Sequence, residues 1–194
     1  VLARNATVVG NRITGNLANG IVADLSVNTT IANNDVIGSP ETDPENDAPG
    51  IYVIISSRTT VVGNNISGGG WGMYVGDVTK RGSIAGNTIR NNCAGMFFDA
   101  FESEPVGDFE VKGNTVENNT RSCRGGGFDK GHPNVSGIGI GLFGTRGMEV
   151  TANHLSGNVP SGPTPVSGGV VVAVNPYDDT AAQKPTNNTV IGNH

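Results

Sequence analysis

The chain has 194 residues, with 30 Gly, 23 Asn and 10 Pro but only 5 Leu and 4 Lys; Gly and Asn destabilise helix interiors and suit turns, so strands joined by many tight turns are expected. The formal net charge is −5 with no run of Lys or Arg, the wrong sign for a surface that neutralises phosphate, which argues against a nucleic-acid partner. No stretch approaches the roughly 20 apolar residues of a membrane-spanning helix.

Taken in chain order, one short motif recurs: Val9-Gly10-Asn11-Arg12-Ile13, Ala32-Asn33-Asn34-Asp35-Val36, Val62-Gly63-Asn64-Asn65-Ile66, Ala85-Gly86-Asn87-Thr88-Ile89, Lys112-Gly113-Asn114-Thr115-Val116, Thr151-Ala152-Asn153-His154-Leu155 and Ile191-Gly192-Asn193-His194. Its core is a small residue, Asn, any residue, then an aliphatic one. Successive motif Asn are 23, 30, 23, 27, 39 and 40 residues apart, a base period near 23 stretched by insertions, and periods of that order mean a solenoid. Between the motifs a Gly opens each short apolar run, at Gly20, Gly50, Gly72, Gly95, Gly139 and Gly169. From each such Gly to the next motif Asn there are 14 to 24 residues, room for strands and turns but not for helices of ordinary length.

The insertions expected to break the period are 39–49, 101–107, 120–136, 160–168 and 176–185. The first alternates Glu41, Asp43, Glu45 and Asp47; the second is bracketed by Asp99, Glu102, Glu104 and Asp108. Calcium wants several hard oxygen ligands, and the second set is the calcium candidate, although neither stretch completes a calcium-loop pattern and a solvated acidic loop explains both. His132, His154 and His194 have no metal-site spacing. No other cofactor is indicated.

The repeat resembles the right-handed parallel β-helix family of the pectin-lyase-like superfamily, over essentially the whole chain. The resemblance implies an all-β, single-domain solenoid spanning 1–194, about six to seven coils of roughly three short strands each. Because Val1 and His194 fall inside the repeat, the reading expects a fragment of a longer solenoid with uncapped ends, covered by further coils or a partner. In such a coil Asn11, Asn34, Asn64, Asn87, Asn114, Asn153 and Asn193 form a ladder, each Asn taking a left-handed bend and bonding its equivalent one coil away. The aliphatic residue two past each Asn, and the pairs Ile21/Ala23, Ile51/Val53, Met73/Val75 and Met96/Phe98, point inward by alternation. The methionines are core rather than copper ligands, although a copper-site maturation factor shares this repeat. Cys93 and Cys123 fall 6 and 9 residues after their motif Asn, near one corner of adjacent coils, which makes a disulfide and an extracytoplasmic or secreted location the expectation.

On the outer side of the strand after each landmark Gly stand Val22, Tyr52, Tyr74, Phe97, Gly141 and Val171. Three consecutive aromatics would form an exposed stripe fit for sugar rings or a protein surface, unless a loop covers them. Beside them lie Asp24, Asp77 and Asp99. The substrate-binding candidates are Tyr52, Tyr74, Phe97 and Asp24. Uronate elimination needs a base and a cation, for which Asp77, Asp99, Lys80 and Arg81 are the candidates, although an ion pair explains Asp77 beside Lys80 or Arg81. The polygalacturonase Asn-Thr-Asp and Gly-His-Gly, the epimerase Asp-Pro-His and a paired-Arg lyase motif are missing. Three readings stay open: a noncatalytic secreted module binding glycan or a partner, a diverged polysaccharide lyase or epimerase, and a structural spacer of a surface or fibre protein.

Overall fold

A computed structural model describes residues 3–16, 18–38, 48–100, 104–124, 134–176 and 184–194. Among these the chain forms strands and turns but no helix, wound as a parallel solenoid with three walls. The first wall stacks Thr7–Val9, Thr30–Ala32, Thr60–Val62, Lys80–Ala85, Gly107–Lys112, Glu149–Thr151 and Thr189–Ile191. Arg12–Thr14, Asp35–Ile37, Asn65–Ser67, Thr88–Arg90, Thr115–Glu117 and His154–Ser156 form the second. The third comprises Ile21–Asp24, Ile51–Ile54, Trp71–Gly76, Ala94–Asp99, Ile138–Phe143 and Gly168–Ala173. The solenoid makes about five turns, slightly fewer than the six to seven coils expected, because counting motifs counts stacked strands rather than the steps between them.

Alternation along each short strand fills the interior. Ile31, Val61, Ile84, Val111 and Val150 line the first wall, and Val36, Ile66, Ile89 and Val116 the second. Ile51/Val53, Met73/Val75, Met96/Phe98 and Ile140/Leu142 line the third, all buried. The methionines are thus core. The landmark glycines have a steric rather than a conformational origin. A Cβ on Gly72 would lie 2.3 Å from Ile89 Cγ2 and 2.7 Å from the Gly95 carbonyl oxygen, and Gly20, Gly50, Gly95 and Gly139 meet the equivalent carbonyl of the next coil. Only a bare backbone lets consecutive coils approach this closely at that corner.

The asparagine ladder is continuous. Asn11, Asn34, Asn64, Asn87, Asn114 and Asn153 each donate a backbone N–H and the side-chain Nδ2 to Oδ1 of the next, ending on Asn193, at 2.9 to 3.0 Å. Nδ2 also reaches a first-wall carbonyl, as Asn87 does to Val61 at 3.0 Å. One part of the expectation is corrected. The left-handed residue is the small one before the Asn, at Gly10, Asn33, Gly63, Gly86, Gly113, Ala152 and Gly192, not the Asn itself. The sharp reversal thereby falls one residue early and turns the amide inward. A second ladder, unforeseen, runs Asn92 to Asn119 to Asn158 five residues on from the first, capped by Gly69 N–H on Asn92 Oδ1.

A different corner, between the third and first walls, is backed by buried hydroxyls: Ser26 Oγ lies 3.0 Å from Ser56 Oγ, and the Ser56 N–H donates to Thr79 Oγ1. The residues immediately before these hydroxyls, Leu25, Ile55 and Val78, all have positive φ of 46 to 47°, a conformation that costs an ordinary L-residue about 1–2 kcal/mol.

The ladder gives the first testable outcome. Asn87→Ala should orphan the buried Asn64 N–H, take one of three acceptors from Asn64 Nδ2, which keeps the Ile31 and Val62 carbonyls, and lower unfolding free energy by about 3 kcal/mol. Asn11→Ala, at an exposed position, should lower it by about 1 kcal/mol or less. Urea titration of both variants measures the contrast.

Candidate functional site

The outward row of the third wall is in register, Val22 to Tyr52 to Tyr74 to Phe97 to Gly141 to Val171. Tyr52 and Tyr74 have ring centroids 5.3 Å apart, Tyr74 and Phe97 stack at 5.9 Å with an interplanar angle of 11°, and Phe143 continues the stack 4.7 Å beyond Phe97. Phe143 is two residues past the row, yet its ring lies over Gly141, where a Cβ would come within 2.5 Å of it. Tyr74 leans forward along its strand, over Gly76.

The stripe is not open along its length, as expected; this is a correction. Phe97 is 3% exposed. It lies in a second apolar cluster outside the solenoid wall with Trp71, Ala94, Val135, Ile138 and Phe143, against which Tyr74 and Val166 pack. Val135 belongs to the strand Asn134–Val135, antiparallel to Cys123–Arg124, and Cys123 is disulfide-bonded to Cys93, 30 positions earlier in the chain, with Cα atoms 5.8 Å apart. The disulfide thus anchors the cover, helped by Arg121, which donates to the carbonyls of Gly68 and Gly69. Aromatic rings on parallel strands present too much apolar surface to remain bare. The open part is the N-terminal end, where Tyr52 is half-buried and Val22 and Asp24 are exposed.

The carboxylates divide by environment. Asp99 is 5% exposed, with Oδ2 accepting from Tyr74 Oη at 2.9 Å and Oδ1 from Asn175 Nδ2 at 2.8 Å. Both oxygens of this candidate base are therefore engaged. Burial, then the charge and hydrogen bond of Asp99, push the Tyr74 phenol well above its usual range. Burial also raises Tyr52, followed by the charges of Asp77, Asp24 and Asp99, so Tyr52 offers a neutral phenol ringed by acid. In the row itself Gly76 stands between Ile54 and Asp99, and Asp77 follows at the corner with φ 43°.

The candidate cations lie round that corner. Lys80 Nζ contacts Glu104 Oε2 at 2.6 Å, and that partner holds the Glu104 carboxyl below its usual range. Arg81 is exposed in left-handed backbone. Of the calcium candidates, Glu102 lies outside the described residues, as do Glu41, Asp43, Glu45, Asp47 and His132. Asp99 serves Tyr74 and Asn175, Glu104 serves Lys80, and Asp108 sits on the first wall; among the described residues no group of three His, Cys, Asp or Glu is placed to hold a metal ion. Sequence reasoning missed Trp71, Phe143 and Asn175. Trp71 had a signal in its place immediately before the landmark Gly72; Asn175, 76 residues from Asp99, had none. Trp71 Nε1 is buried without a partner.

These walls, ladders and core column define a parallel β-helix. The right handed beta helix region family matches residues 2–194, and the chain belongs to that family. No curated protein matches. Among solved structures the chain is similar to the A-module of the mannuronan C-5 epimerase AlgE4 of Azotobacter vinelandii, with a TM-score of 0.55 and 17% identity. The match covers 81% of this chain and 38% of that one, so the chain spans well under half the length of that module, and the likeness is one of fold.

Two outcomes follow from this geometry. Because the folded Tyr74 phenol ionises above its ordinary value of 10.0, the unfolded chain releases that proton first, and stability fully present below that pH is lost as pH rises further. Thermal unfolding of Tyr74→Phe should fall less steeply above pH 10 than that of the wild type. Breaking the disulfide with Cys93→Ser/Cys123→Ser should lower stability by about 3 to 4 kcal/mol on the loop-entropy scale. It should also shift emission of the single tryptophan, Trp71, to longer wavelength as the cover loosens.

Proposed function

We propose that the chain is a noncatalytic, extracytoplasmic β-helix module that binds carbohydrate at the open end of its aromatic face. The observation that carries this reading is Tyr52: a half-buried ring at the uncovered end of a four-ring stack, beside exposed Asp24. A sugar's apolar C–H face stacks on such a ring, while carboxylates accept from its hydroxyls. Burial first, then the charges of Asp77 and Asp24, raise the Tyr52 phenol, and the same charges would repel a uronate, so the favoured ligand is a neutral glycan. Phe97 and Tyr74 support the platform from beneath the cover rather than touching ligand. The disulfide is the ground for an oxidising compartment, and the likeness to a mannuronan C-5 epimerase module is consistent with a carbohydrate setting.

The lyase or epimerase reading is less favoured because Asp99 is held by two donors and Lys80 by Glu104. A glycan array with neutral and uronate-rich polysaccharides, with and without calcium, tests the proposal. Retention of a neutral glycan should fall about tenfold in Tyr52→Ala, the scale of one lost aromatic stacking contact, and survive in Tyr74→Phe. Retention indifferent to Tyr52, or no retention, would refute it, and unsaturated uronate products lost on changing Lys80 or Arg81 would establish the enzyme instead.

A further inference from the structure

At the corner between the third and first walls, Val27, Ser57, Lys80, Gly107, Arg146 and Thr186 stack in parallel register. The residue after each, Asn28, Arg58, Arg81, Asp108, Gly147 and Asn187, is left-handed, with φ between 54 and 64°. Asn, Asp and Gly accept that backbone, and only Arg58 and Arg81 depart from this choice. The two arginines are exposed and sit on adjacent coils, joined where the Arg58 N–H donates to the Lys80 carbonyl. Neither makes an ion pair among the described residues, where Arg12, Lys80 and Lys112 do. Lys80 holds Glu104, and Asp108, next along the row, carries its carboxylate over Gly147 of the following coil, where a Cβ would lie 2.7 Å from Oδ1. Like charges side by side on neighbouring strands repel, and each arginine also bears backbone strain. No described group of the protein offsets either effect, and strain of this kind collects where a ligand is clamped.

We propose that Arg58 and Arg81 form a binding site for a tetrahedral oxyanion, the sulfate or phosphate ester of a partner molecule. A single guanidinium fork already matches both oxygens of a carboxylate. Two forks about 5 Å apart on neighbouring coils can instead grip the three outer oxygens of an ester sulfate or phosphate from two sides. Ser57, immediately before Arg58 and beside Lys80 in register, places a half-buried hydroxyl next to the pair. The chain's net charge of −5 and the flanking Glu104 and Asp108 confine the attraction to this spot, which suits one ester group and not a run of phosphates. The site lies round the corner from Tyr52 and does not depend on the glycan reading there.

Titration of the isotope-labelled full chain with sulfate, dianionic phosphate or acetate, at constant ionic strength, tests the proposal on the arginine Nε–H resonances. Sulfate and phosphate should move the Arg58 and Arg81 signals together and saturate them about tenfold more tightly than acetate, which carries one charge. Arg58→Asn and Arg81→Asn give each position the residue type of Asn28 and Asn187, so the backbone is kept. Each should bind the dianions about tenfold less tightly, with a thermal midpoint in anion-free buffer no lower than that of the wild type. Arg58→Lys/Arg81→Lys keeps the charge and should also bind more weakly, because an ammonium lacks the fork. Retention on dextran sulfate against phosphocellulose, lost in the double Asn variant, then distinguishes the two esters. Acetate bound as tightly as sulfate, Asn variants that bind undiminished, arginine signals that do not saturate, or retention on neither polymer overturns the proposal.

Discussion

The hydrogen bond from one buried asparagine to the next is the constraint on which the rest of this molecule depends. A primary amide inside an apolar coil is tolerable only if its donors and acceptor are all used, and here the donors reach the next Asn and a first-wall carbonyl while Oδ1 receives from the preceding coil. That requirement fixes register. A slip of one residue in any coil would leave two amides unsatisfied and turn the aliphatic column outward. Because each coil is pinned at the ladder, the rows on every other wall also stack in order, including the one that carries the aromatic rings.

The third wall shows what such order permits. Its inner side is a column of aliphatic residues, Met and Phe, and its outer side bears a second, smaller core. The outer core exists because Gly141 and Gly76 leave space for Phe143 and Tyr74 to lean along the wall. A disulfide-anchored segment closes over its middle, and the uncovered end retains one aromatic ring in an acidic setting. Covered and open parts of one stripe thus have different work: the first holds a loop to the solenoid, and the second is presented to the surroundings.

Much of this was legible in the sequence. The motif Asn, the aliphatic residue two beyond it, the inward pairs and the outward row all follow from period-two alternation on a repeat of known phase. Cys93 and Cys123 could be paired because both fall at one corner. What could not be read is equally specific. The left-handed position lies on the residue before each Asn, since the sequence cannot say which of two neighbours turns. Burial of Phe97 depends on Val135, whose return to the wall comes after an insertion with no periodic signal. Lys80 turning to Glu104, and Asn175 reaching Asp99, are contacts between different coils that side-chain reach decides, not spacing. The second asparagine ladder was visible as an Asn five residues past the first in three coils.

The ladder contacts stay near 2.9 Å whether the chain between partners is 23, 27, 30, 39 or 40 residues long. Extra length between partners leaves the spacing of the ladder unaltered. In chain-entropy terms, lengthening a coil from 23 to 40 residues adds only about 0.5 kcal/mol of loop closure. A molecule built this way separates heritable change from structural risk: surface segments can be gained, lost or exchanged by descent while the same interior continues to fold.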